Sequence, residues 1–138
     1  MDISERDISP EELQSIYEDF RKIEIREGIP QREVRRYQYV LEEDGEVVGY
    51  VSGITEHKWF YLTDLWVEES RRRKGLGSRL LSMIEEKAAS LGMEHVYLWT
   101  SGKNNPLFYE KQGYTPFAVL EDKLEVKGCH QTGYRKDL

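Results

Sequence analysis

The chain has 138 residues, of which 38% are hydrophobic and 33% charged, with a formal net charge of -6. That length suits a single domain, residues 1–138, with its own core, and the acid excess excludes general nucleic-acid binding, which needs basic surface to neutralise phosphates. One cysteine, Cys129, rules out an internal disulfide and a thiolate metal cluster. The start, Met1 to Asp7, is polar and acidic, and no stretch approaches the ~20 apolar residues of a membrane span, so a cytoplasmic protein without membrane partners is expected.

Ser9-Pro10-Glu11-Glu12 sets a serine cap, a proline and acids at the start of a helix that carries Leu13, Ile16, Tyr17, Phe20 and Ile23 at amphipathic spacing. Gly28-Ile29-Pro30 interrupts it, and Gln31 to Arg36 reads equally as a short polar helix or a loop. Tyr37 to Glu42 and Val47 to Ile54 flank Asp44-Gly45, a turn signal that predicts an antiparallel hairpin. Trp59 to Val67, rich in aromatic and β-branched residues, is the clearest strand. A helical stripe of Leu76, Leu80, Leu81, Ile84, Ala88 and Leu91 follows and stops at Gly92. His95 to Thr100 predicts a strand, Asn105 to Gln112 a short helix, Tyr114 to Leu120 a strand and Gln131 to Lys136 a last strand. Antiparallel hairpins around one strand-helix-strand unit predict an α/β (α+β) fold, with a mixed, mostly antiparallel sheet whose central pair is parallel. The start of the long helix should then lie at the carboxyl end of the Trp59 strand, where open sheets of this class bind ligands.

Gly75 and Gly77 stand where the chain leaves that strand and enters the helix, a place where unpaired N–H groups and the helix dipole favour an anion. Glycine admits unusual dihedrals and close approach, and Arg71 to Lys74 add positive potential, so a phosphate or diphosphate is the expected ligand. Neither a P-loop nor a dinucleotide fingerprint fits: the first motif is absent, and Leu80 stands where the second needs a small residue. A tight turn with solvated basic residues is the bland alternative.

Arg72-Arg73-Lys74-Gly75-Leu76-Gly77 resembles the R/Q-x-x-G-x-G/A cofactor motif of the GNAT N-acetyltransferase family, and Leu65-Trp66-Val67 before it and Asn105-Pro106-Leu107-Phe108-Tyr109 after it follow in family order. The resemblance implies the GNAT acyl-CoA N-acyltransferase fold and acetyl-CoA as acyl donor. It assigns the pyrophosphate to the turn from Arg72 to Ser78 and the pantetheine arm to the backbone of Leu65, Trp66 and Val67, with a further contact from Asn105. It also implies direct acetyl transfer to a primary amine of a small molecule or protein in a ternary complex. A non-catalytic coenzyme-A-binding or protein-interaction module is the alternative.

Acyl transfer from a thioester needs a neutral amine, polarisation of the carbonyl and an acid for the departing sulfur. The resemblance gives Tyr109 as that acid. Asp64, a carboxylate within an apolar strand, reads equally as the candidate base or as a satisfied structural carboxylate, with Glu68 and Glu69 as solvated alternatives or counterweights to the arginines. The spacing of His57, His95 and His130 fits no common metal site. Trp59, Tyr61, Trp66 and Trp99 could wall an amine pocket or belong to the core. Overall acidity favours a cationic acceptor, and exposed terminal strands leave room for a homodimer.

Overall fold

The computed structural model describes residues 1–138 and divides them into two units, Met1–Arg32 and Glu33–Leu138. The first unit is built on α1 (Pro10–Arg26). Ser9 Oγ accepts from the Glu12 amide at 3.1 Å while the Glu12 carboxylate accepts from the Ser9 amide at 2.9 Å, the reciprocal cap that the sequence signals. Arg6 grips the same carboxylate at 2.9 Å and, together with the Ser9 bonds, pushes its pKa down to about 2. The apolar stripe of Ile16, Tyr17, Phe20 and Ile23 forms as expected, yet all four side chains are exposed.

The second unit holds six strands, two α-helices and a short 3-10 turn: β1 (Arg36–Glu43), β2 (Glu46–Glu56), β3 (Trp59–Val67), the 3-10 turn (Glu69–Arg71), α2 (Leu76–Ser90), β4 (His95–Ser101), α3 (Asn105–Lys111), β5 (Thr115–Leu120) and β6 (Gln131–Asp137). Asp44 and Gly45 both take positive φ, as a two-residue hairpin turn requires, and β1 pairs antiparallel with β2. The undecided segment before the hairpin resolves as an irregular stretch to Arg35, after which β1 starts at Arg36 because its partner Ile54 lies across the hairpin. The sheet order is β1-β2-β3-β4-β6-β5, and β3 with β4 is its parallel, central pair. The last strand inserts between β4 and β5, pairing antiparallel with both.

One face of the sheet holds the core. Leu80, Leu81, Ile84 and Ala88 of α2 pack on Val51, Phe60, Leu62, Val96 and Leu98, all buried. Strand alternation turns Trp59, Tyr61, Tyr97 and Trp99 away from these buried neighbours, and they are half-buried in an aromatic row, Trp99 joining it through Phe117, rather than in the core.

Candidate active site

The parallel ladder between β3 and β4 runs only from Trp59↔His95 to Leu62↔Leu98, although β3 continues to Val67 and β4 to Ser101. The cause lies on the other side of β3. Ser52 pairs with Asp64 and Gly53 with Leu62, so Thr63 is an extra residue, a bulge of the kind that bends and twists its strand. Beyond the bulge the two strands part and open a cleft of about 1010 Å³. Leu65, Trp66 and Val67 form one wall, Trp99, Thr100 and Ser101 the other, and Gly75, Gly77, Ser78 and Tyr109 also border it. An extended ligand arm entering here meets strand backbone that the ladder has released.

The turn before α2 is shaped for an anion. Gly75 is the N-cap of α2 at φ 78°, ψ 8°, with no side-chain cap, and the Arg79 amide is the first to close back on its carbonyl, at 3.0 Å. The amides of the first turn, Leu76 to Ser78, therefore have no partner inside the helix and carry the positive end of its dipole. Gly75 is required for its left-handed backbone. Gly77 differs: its backbone is helical, and an added Cβ would make ordinary van der Waals contact with the Phe108 ring at 3.6 Å, so neither its dihedrals nor the packing of α2 on α3 demands a glycine there. Of the basic run, Arg71 is spent on carboxylates, bonding Glu43 at 2.8 Å and pairing with Glu68. Glu68 is thus the counterweight that the sequence allowed for. Arg72 and Arg73 line the cleft, with Arg72 Nε donating to the Val67 carbonyl at 2.9 Å. Lys74, grouped with them at first, is exposed and outside the cleft wall.

Tyr109 sits on α3 with its ring 5.1 Å from Phe108, 5.8 Å from Tyr114 and 6.3 Å from Tyr134. Burial alone pushes its phenol up to about 12. That lies well above a thiol's ~8.5, so the hydroxyl is suited to donating a hydrogen bond to sulfur while keeping its proton. Ser78 Oγ accepts from Gln112 Nε2 at 2.9 Å, tying the start of α2 to the end of α3, and Asn105 Nδ2 donates to the Ser101 carbonyl at 3.0 Å. Both border the cleft. Asp64 is exposed on the cleft wall rather than enclosed among apolar neighbours, because it points away from the α2 face with its ladder partner Ser52.

The cleft thus joins a turn of unpaired amides, a released strand edge and a half-buried phenol. The family model for acetyltransferases of the GNAT family matches residues 3–114. The chain belongs to that family. Relatives of known sequence include an acetyltransferase of Agrobacterium fabrum, 32% identical over 81 residues, and blasticidin-S acetyltransferase of Streptomyces morookaense, 33% identical over 85. These matches cover 59% and 61% of this chain, and they span 59% and 62% of the relatives' own length. Among solved structures, an acetyltransferase from Bacillus cereus superposes with a TM-score of 0.80 at 27% identity, over 99% of this chain and 98% of the other. An aminoglycoside 6'-N-acetyltransferase complexed with coenzyme A shares the GNAT fold at a TM-score of 0.65 and 22% identity, over 99% and 97%.

Thr63, Thr100 and Ser101 are cleft residues that the sequence did not single out. The irregularity at Thr63 becomes visible only when the β2–β3 register is known, because within β3 it is one more β-branched residue.

Proposed function

We propose that the chain transfers an acetyl group from acetyl-CoA to an amine by direct attack. The observation that carries this is the meeting of the Gly75 turn and Tyr109 on one cleft opened by the bulge at Thr63. Arg72, Arg73 and the first-turn amides of α2 hold the pyrophosphate, and the β3 edge from Leu65 to Val67 pairs with the pantetheine arm as an added strand would. Support for this cosubstrate comes also from solved structures that share the fold: the aminoglycoside 6'-N-acetyltransferase is complexed with coenzyme A, and a Bacillus anthracis structure is in complex with acetyl coenzyme A.

The thioester supplies an activated acetyl carbonyl. The amine nitrogen bonds to that carbon, the carbon–sulfur bond breaks, and sulfur leaves with the bonding pair while the Tyr109 hydroxyl donates a hydrogen bond to it. Asp64, on the solvent side of the cleft, receives the proton that the amine must shed, directly or through water. Acetyl-CoA at saturation should raise the melting temperature where ATP and NAD do not, since a ligand that binds only the folded state stabilises it. An amine panel should then release free thiol. Gly75→Glu places a carboxylate where the pyrophosphate sits and should abolish the thermal shift; a shift of wild-type size in that variant would sink the assignment.

A further inference from the structure

Arg36 begins β1 on the sheet face opposite α2, and its Nη1 donates to Ser52 Oγ at 2.7 Å and to Thr63 Oγ1 at 2.8 Å. Thr63 in turn donates to the Ser52 carbonyl at 3.2 Å, so both hydroxyls are fixed, and Ser52 is completely buried beneath the pair. These bonds use both protons of Nη1 and leave the Nε and Nη2 edge of the guanidinium, the fork that matches a carboxylate. The charge itself is unspent. Arg6, Arg35, Arg71 and Arg135 all pair with carboxylates in this acid-rich chain, whereas the partners of Arg36 are neutral.

Its location gives that charge a use. Thr63 is the bulge residue that opens the cleft and lies on its wall. Asp64, directly opposite Ser52 in the ladder, presents a carboxylate on the same face and forms no ion pair with Arg36. Arg36, bonded to the wall residue Thr63 though not itself lining the cleft, and the Asp64 carboxylate therefore both stand at the bulge where the strands part, with Trp66 and Trp99 on the cleft beside them. We propose that Arg36 binds the carboxylate of the acetyl acceptor, and that the acceptor is a free amino acid whose ammonium group faces Asp64. The proposal rests on the acetyl-transfer reading and narrows its acceptor from any amine to one with a carboxylate a few bonds from nitrogen.

The test uses matched pairs that differ only in the carboxylate: phenylalanine with phenethylamine, tryptophan with tryptamine and lysine with cadaverine, each amino acid as both enantiomers. Thiol release from acetyl-CoA is measured for wild type, Arg36→Met and Arg36→Lys. In wild type the best amino acid should exceed its decarboxylated partner at least ten-fold in kcat/KM, mainly through KM. Arg36→Met should bring that ratio near one, and Arg36→Lys should restore part of it. A wild-type ratio of one or below, or a ratio that survives Arg36→Met while both rates fall together, overturns the inference and leaves Arg36 as a staple for the bulge. Thermal shifts with coenzyme A plus the amino acid, or plus its carboxamide, separate binding from turnover. A carboxylate-dependent shift that Arg36→Met abolishes, without thiol release, would keep the anion site and refute acetyl transfer to these acceptors. No shift and no thiol release would overturn the amino-acid site.

Discussion

At the residue scale, the phenol of Tyr109 separates holding the fold from assisting the chemistry. Its ring packs among Phe108, Tyr114 and Tyr134, contacts that phenylalanine would keep, and the residue lines the cleft. Tyr109→Phe should therefore lower kcat by about 10²-fold, the usual contribution of one positioned donor, with the acetyl-CoA thermal shift retained. Because burial pushes that hydroxyl up to about 12, no loss of activity from its ionisation should appear up to about pH 10. Turnover in the variant equal to wild type would remove Tyr109 from the mechanism. Gly75 and Gly77 were legible as a pair, but the difference between them was not: φ of 78° at the first and the helical backbone of the second belong to the folded chain.

At the element scale, local signals served well wherever the cause was local. The Ser9 and Glu12 cap is written in neighbouring residues, and so is its pH dependence. Arg6 and the Ser9 bonds hold Glu12 at about 2, below the ordinary 4.5, so the contribution of the cap is present above pH 4.5 and lost as pH falls toward 2. Helical circular dichroism should decline over that window, and Ser9→Ala, which costs about 1 kcal/mol of helix stability, should reduce it already at neutral pH. The α2 stripe was equally legible, and Ile84, fully buried against the sheet, marks its centre. Ile84→Ala should cost about 2–5 kcal/mol in urea unfolding. Arg36 escaped notice because it follows a segment with no periodic pattern; counting back from the Asp44-Gly45 turn would have brought it close to Ser52, but the irregularity between Leu41 and Glu42 shifts that count by a residue.

At the scale of the whole molecule, the phenols impose a limit on alkaline stability. Tyr97 and Tyr114 join Tyr109 in having raised pKa values, in each case through burial first and then through a nearby carboxylate, Glu56 for Tyr97 and Glu85 for Tyr114. The unfolded chain ionises these groups near 10, whereas the folded chain holds them neutral, so their contribution is complete below pH 10 and declines above it, for Tyr109 as pH rises through about 12. The urea midpoint should fall between pH 9 and 11.5 more steeply than the absorbance of native tyrosinate rises. The same division between local and long-range causes separates what was readable from what was not. By itself the sequence determined the element types, the hairpin and the parallel pair, since each is encoded in residue spacing over a few turns or strands, and the likeness of its motifs to a known family pointed to the acetyltransferases. Only the tertiary structure decided the place of β6 between β4 and β5, the bulge at Thr63 and the exposed Asp64, because strand register is fixed by pairing between residues far apart in the chain. The cleft is a product of that register: β3 and β4 part where an extra residue on one side of β3 turns it away from its neighbour on the other.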